Sequence, residues 1–167
     1  MTDIVAVRRD DDLEIVRTLV LEYLAWVVAQ TEKEYGEKID LDSDFDHAWG
    51  EIGKFDAPTG LILLTRQGGG AAGVAFLKEL RPEICEVNRV YVRPDFRSNN
   101  IGNQLTARLI HEAWELGYAR VFFDTAKFIR VAHVVYRALG FKETEIYSAS
   151  VYDDNFAKHL IFMELVL

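Results

Sequence analysis

The run Val90-Tyr91-Val92-Arg93-Pro94-Asp95-Phe96-Arg97-Ser98-Asn99-Asn100-Ile101-Gly102 constrains the fold of this chain more than any other stretch. A β-branched apolar segment stops at a proline, which cannot donate to a sheet ladder. A short polar loop follows, and an amphipathic run then begins. Strand, loop and helix in that order place unpaired backbone N–H groups at a helix start. Such an end carries about half a unit of positive charge and is a ready site for a phosphate group.

The flanking sequence supplies the partners of that corner. Ile4, Val5 and Val7 predict a first strand, and Asp10, Asp11 or Asp12 a cap for a helix. Leu13, Val16, Leu19, Val20, Tyr23, Leu24 and Val27 recur along that helix at helical spacing. Residues 31–44 are charged and contain Gly36, which predicts a break and an exposed loop before a short helix over Asp44–Lys54. Strands are expected at Leu61–Thr65, Ala71–Leu80 and Ile84–Val92, the first two joined by the hairpin turn Gln67-Gly68-Gly69-Gly70. The central helix should run to Leu116 with Gly117 as its cap. A strand at Val121–Thr125, a helix at Val131–Leu139 and closing strands at Phe141–Tyr147 and Lys158–Val166 complete the chain. The pattern predicts one α/β domain over residues 1–167, with helices on both faces of a mixed sheet of about seven strands.

Charge excludes some functions and leaves one question open. With 19 basic and 27 acidic residues the chain is unsuited to general nucleic-acid binding, which needs clustered Lys and Arg. Residues 1–60 hold 6 basic and 15 acidic side chains, leaving 13 and 12 for the other 107 residues. That acidic third reads either as a solvated helical face or as a lip that draws in a cationic substrate. A single cysteine, Cys85, rules out an internal disulfide and any multi-cysteine metal site, and its apolar strand makes it a core residue. No signal-like segment opens the sequence, and Arg17 and Glu22 interrupt its most apolar helix, so a soluble cytoplasmic protein that avoids membranes is expected.

Two side chains stand out as chemistry. Glu86 interrupts an apolar strand, where alternation puts Asn88, Val90 and Val92 on its face. A carboxylate held there is a partly desolvated general base, the partner of Arg89, Arg81 or Lys78 in an ion pair, or an edge-strand charge facing water. Tyr136 lies at the margin of the stripe Val131, Val135, Ala138 and Leu139, where a phenol can pack its ring and direct its hydroxyl into a neighbouring site, or serve packing alone. His47, His111, His133 and His159 show neither metal-pair spacing nor a triad, and read as structural or surface groups.

On these residues the chain resembles the GNAT superfamily of N-acetyltransferases, most strongly from Glu83 to Phe141. The family's Q/R-x-x-G-x-G/A pyrophosphate loop is met by Arg97-Ser98-Asn99-Asn100-Ile101-Gly102, preceded by a similar Arg89-Val90-Tyr91-Val92-Arg93-Pro94. Asp124-Thr125 and Val135-Tyr136-Arg137-Ala138-Leu139-Gly140-Phe141 are similar to its second signature, and the ending Ile161-Phe162-Met163-Glu164-Leu165 resembles a bacterial subgroup. Asn100 replaces the first loop glycine; asparagine tolerates positive φ, so the loop is expected to form. Ile129 stands where many members carry an asparagine, whose hydrogen bond to the donor must be absent or replaced here.

The resemblance implies a GNAT-like fold with a mostly antiparallel sheet, and acetyl-CoA as donor, with no metal. The diphosphate would be held by Arg97, Ser98, Asn99, Asn100, Ile101, Gly102 and Asn103, and the pantetheine arm by the strand edge at Val90, Tyr91 and Val92. Splaying of the strands of Val90 and Val121 would admit the thioester. Glu86 would act as base toward a primary amine, and Tyr136 as acid toward the departing thiolate. The acceptor would be a small-molecule or peptide amine, cationic if the acidic third is a lip. A homodimer is possible, and Trp26, Tyr152 and Phe156 could belong to an interface as easily as to a pocket. The alternative is a non-catalytic acyl-CoA-binding or sensing module, to which Asn100 and Ile129 point while Glu86 and Tyr136 point away.

Overall fold

The computed structural model describes residues 1–147 and 154–167. Seven strands form one sheet: β1 (Thr2–Ala6), β2 (Leu61–Gln67), β3 (Gly70–Arg81), β4 (Ile84–Val92), β5 (Arg120–Ala126), β6 (Lys142–Thr144) and β7 (Leu160–Val166). Their order is β1-β2-β3-β4-β5-β7-β6, antiparallel throughout except for the parallel pair β4–β5. The helix after β4 forces that exception, because the crossover returns the chain to the same edge. The helices are α1 (Asp10–Tyr35), α2 (Leu41–Gly50), α3 (Ile101–Glu115), α4 (Arg130–Ala138) and the single turn α5 (Asp154–Ala157).

Alternation along the strands divides the core into two layers. Leu63, Ala75, Leu77, Cys85 and Val87 face α3, whose Ile101, Leu105 and Leu109 are fully buried. Ile62, Leu64, Val74 and Phe76 face the other way, against Val16, Leu19 and Val20 of α1 and Phe45 of α2. Burying a Leu- or Phe-sized side chain contributes about 1.5–3 kcal/mol, so the two layers supply the main drive to fold.

Several boundaries differ from the sequence expectation. The predicted loop from residue 31 is helical through Tyr35, because Glu32, Lys33 and Glu34 are good helix formers and the stop signal is Gly36 (φ 69°). The second helix begins at Leu41 because the Asp40 carboxylate accepts from the Ser43 N–H at 2.9 Å, and it gives way to a 3₁₀ turn at Ile52–Phe55. Asp10–Asp12 do not cap α1; they occupy its first turn, where negative charge complements the dipole, and buried Asp12 pairs with Arg66 of β2 at 2.6 Å. Of the strand expected over Phe141–Tyr147, only Lys142–Thr144 pairs. α4 is rotated from its predicted stripe: His133 and Tyr136 point inward, while Val131 and Ala138 are exposed.

Candidate active site

The site begins with a defect in β4. Phe76 pairs with Asn88 and Val74 with Tyr91, so Arg89 and Val90 together oppose one residue of β3, a β-bulge in which Arg89 takes φ 47°. The extra residue reverses the alternation. Tyr91 therefore shares the α1 face with Glu86, whereas Val90 and Val92 pack on the α3 side with Cys85 and Val87. Simple alternation had placed Val90 and Val92 beside Glu86; the bulge corrects that. Gly73 makes room, since a Cβ there would lie 2.6 Å from the Tyr91 carbonyl oxygen.

Beside the bulge the sheet opens. β4 and β5 pair only from Ile84↔Arg120 to Val87↔Phe123, leaving the edge of residues 88–92 unpaired by β5. Val121 still pairs with Cys85, and the strands of Val90 and Val121 part beyond Val87 and Phe123. The opening leads into a cleft of about 1030 Å³.

One end of the cleft is the strand–loop–helix corner. Asn100 adopts the left-handed conformation (φ 58°, ψ 19°), and the α3 ladder opens with Gln104 N–H on its carbonyl at 3.1 Å. The N–H groups of Ile101, Gly102 and Asn103 precede that bond, and the first turn of α3 carries no acidic side chain. Arg97, Asn100, Gly102 and Asn103 line the cleft together with Val90, Tyr91 and Val92. The Arg97 guanidinium donates to the Val92 carbonyl (3.0 Å) and lies over the Trp26 ring. Two other loop residues turn elsewhere: Ile101 is core, and the Asn99 amide donates to Gln67 at 2.6 Å. The Ser98 side chain, like the whole of Tyr152, lies outside the described residues.

Glu86 lies midway along the wall, 3 % exposed. Its partner is Lys78 (3.2 Å) rather than Arg89 or Arg81, and the Tyr147 hydroxyl donates to its other oxygen at 2.9 Å. Tyr147 packs on Phe122, the register partner of Glu86, and also reaches the Asp124 carboxylate at 3.4 Å. In the sequence Asp124 stands out only as part of the second signature and Tyr147 only as a strand end, neither with a chemical role. Asp124 carries the signal that flagged Glu86, a carboxylate within an apolar strand; Tyr147 is brought in by the tertiary fold alone.

Across the opening, Tyr136 is 4 % exposed, with its ring 4.3 Å from that of Phe123. It borders the cleft, and burial pushes its phenol pKa far above the ordinary value. The cleft is thus lined by the Glu86 carboxylate and by Tyr136, whose burial disfavours the phenolate. Ile129 also lines it, where a side chain without donors faces the cavity.

The remaining candidates sort by contact. His133 holds the Ala126 carbonyl at 3.0 Å, and burial lowers its pKa. His159 stacks on Tyr35 at 3.8 Å and pairs with Glu37, His47 stands beside Glu51, and His111 stacks on Trp114. Cys85 is wholly buried, and desolvation pushes its thiol up to about 12, which removes it as a nucleophile. Trp26 and Phe156 both border the cleft.

A further group lines the cleft beside α1 and α2. Burial, with Asp124 and Asp44 adding and Arg89 opposing, pushes the Tyr23 phenol up to about 12. Asp44 is raised by burial, against the pull of Arg89 and His47. These residues are scattered over α1, α2 and β4, so no local spacing announces them.

Comparison with known proteins matches this architecture. The model of the acetyltransferase (GNAT) family matches residues 21–141. An uncharacterised N-acetyltransferase of Schizosaccharomyces pombe is 32 % identical over 144 residues, covering 85 % of this chain and 83 % of the relative. PaiA N-acetyltransferase from Thermoplasma acidophilum, solved with coenzyme A, superposes with a TM-score of 0.75 at 17 % identity over 100 % of this chain and 99 % of its own. A GNAT-family acetyltransferase from Staphylococcus aureus gives 0.74 at 19 % identity, over 100 % and 99 % of the two chains. With the bulged strand, the splayed sheet and the open helix start in place, the extent of these matches shows that this chain belongs to the acetyltransferase (GNAT) family.

Proposed function

We propose that the protein transfers an acetyl group from acetyl-CoA to a primary amine by direct transfer in a ternary complex. The observation that carries this reading is the parting of β4 from β5 beyond Val87, which brings the N-terminus of α3, Glu86 and Tyr136 to one cleft. Acetyl-CoA supplies an acyl group already activated as a thioester, and coenzyme A is what the Thermoplasma acidophilum relative of this fold holds.

The chain's own residues fit that donor. Asn100 in the left-handed conformation opens α3, whose N–H groups at residues 101–103 lack an intrahelical acceptor, and Gly102 and Asn103 of that turn line the cleft. The free edge of residues 88–92 offers backbone groups to an extended arm. Glu86 takes a proton from the ammonium, directly or through the Tyr147 hydroxyl or a water, because an amine with a pKa near 10 is no nucleophile until it loses one. Tyr136 holds a proton at its hydroxyl beside the cleft, available to the leaving sulfur. Alignment of donor and acceptor does most of the remaining work.

Calorimetric titration with acetyl-CoA and coenzyme A, followed by thiol release with a panel of amines, tests this. Micromolar binding with amine-dependent release is expected. Donor binding with no release for any amine would make the protein a sensing module, and absence of binding would remove both readings.

A further inference from the structure

Arg89 is placed as a binding group without a hydrogen-bond or ion-pair partner among the described residues, although Asp44 lies within its electrostatic reach. The bulge turns it into the cleft, half-buried, with its guanidinium 5.4 Å from the Phe55 ring centroid and 5.6 Å from that of Phe76. Among the described residues it makes no hydrogen bond and no ion pair. Lys78, the other cation over Phe55, is paired with Glu86. A guanidinium withdrawn from water normally recruits an oxyanion, and its planar fork matches a carboxylate in two-point geometry. Next to it in sequence, the Asn88 side-chain oxygen is buried with no hydrogen-bond partner and lines the same cleft. An unpaired donor fork and an unpaired acceptor thus stand side by side, a few residues from the carboxylate of Glu86.

We infer that the acceptor is a small zwitterion, an amino acid or similar amino carboxylate, whose carboxylate is held by Arg89 while its amine is directed toward Asn88 and Glu86. This rests on the transferase reading above and goes beyond it by naming the acceptor class. The sign of the surroundings selects a monoanion. Asp44 already lies within the electrostatic reach of Arg89, and Glu51 and Glu86, paired with Lys54 and Lys78, line the same cleft, so a phosphate dianion would meet more repulsion there than a carboxylate does. A polyamine offers Arg89 no oxyanion to hold.

The test is a steady-state comparison, at saturating acetyl-CoA, of α- and ω-amino carboxylates with their amides and with the amines lacking the carboxylate. The ratio of kcat/KM for an acid to that for its own amide is read within each protein, so partial misfolding cancels. Arg89→Asn is the informative variant because asparagine accepts the positive φ; Arg81→Gln, at an exposed position outside the cleft, is the control. The parent and the control should favour acids by roughly 10- to 100-fold, the scale of one charge-assisted hydrogen bond, and Arg89→Asn should bring the ratio close to unity. A ratio near unity in the parent, or one that survives Arg89→Asn, overturns the inference. Turnover confined to amines lacking a carboxylate overturns it while leaving the transferase reading intact. No turnover of any amine despite donor binding overturns both.

Discussion

The Tyr147 hydroxyl donates to the Glu86 carboxylate at 2.9 Å and stands 3.4 Å from that of Asp124. One phenol thus links a carboxylate of β4 to one of β5 where the two strands part. With Lys78 on its second oxygen, Glu86 is held in one orientation inside an apolar wall. Glu86→Gln keeps the shape and removes the proton acceptor, so kcat should fall by roughly 10²-fold or more with acetyl-CoA affinity unchanged. Tyr147→Phe leaves the base and frees its orientation, and should cost about tenfold. Rapid-quench turnover alongside calorimetry checks both, and wild-type kcat in Glu86→Gln would exclude it as the base.

Tyr136 is held as a proton donor by burial. Its pKa is raised above the free phenol value of about 10, so the hydroxyl stays protonated throughout the neutral range. Any alkaline fall in kcat below about pH 10 should therefore persist unchanged in Tyr136→Phe. That variant should lose roughly 10²-fold in kcat. Its melting temperature should barely move, because the hydroxyl has no hydrogen-bond partner among the described residues. Full activity in Tyr136→Phe would return the tyrosine to a packing role beside Phe123.

Two backbone positions shape the cleft. Asn100→Gly retains the left-handed turn and removes a Cβ from the phosphate corner, so donor affinity should hold or rise. Asn100→Val puts a β-branched residue at φ 58° and should lose about 1–2 kcal/mol of stability along with donor affinity. At Gly73 the obstacle is contact: alanine would bring a Cβ to 2.6 Å from the Tyr91 carbonyl oxygen and cost about 1–3 kcal/mol. Chemical denaturation reads the stabilities and calorimetric titration with acetyl-CoA the donor affinities, and a stable Gly73→Ala would show that the bulge can shift.

His133 should make the fold acid-sensitive. Burial, opposed by its bond to the Ala126 carbonyl, lowers its folded-state pKa below the ordinary value of about 6.5. Between the two values the unfolded chain binds more protons, so stability falls as pH drops below about 6.5 and is fully present above it. In His133→Gln the loss of melting temperature between pH 7 and pH 5.5 should be smaller than in the parent. An identical acid profile would mean that His133 does not contribute.

Much of the fold is local and could be read from the chain. The alternation of β2 and β3, the 3.6-residue stripe of α3 and the stops at Pro94, Gly117 and Gly140 report themselves within a few residues. The end of α1 at Gly36 was misplaced because charged residues look like loop until a glycine stops them. The inward face of α4 was misassigned because Val131 looks apolar yet is exposed, while His133 is polar yet buried through a single hydrogen bond.

The sequence by itself determined the strand–loop–helix corner, the carboxylate at Glu86, the phenol at Tyr136 and the family they resemble, because each is carried by residue type and short spacing. Only the tertiary structure decided which groups face the same cleft. The bulge at Arg89 arises from mismatched register between β3 and β4, and that one added residue turns Tyr91 to the α1 face and Val90 to the α3 face. The pairing of Glu86 with Lys78 and Tyr147, and the unpaired state of Arg89, depend on strands and helices that meet only after folding. Such contacts join residues up to 61 positions apart, and no local period encodes them.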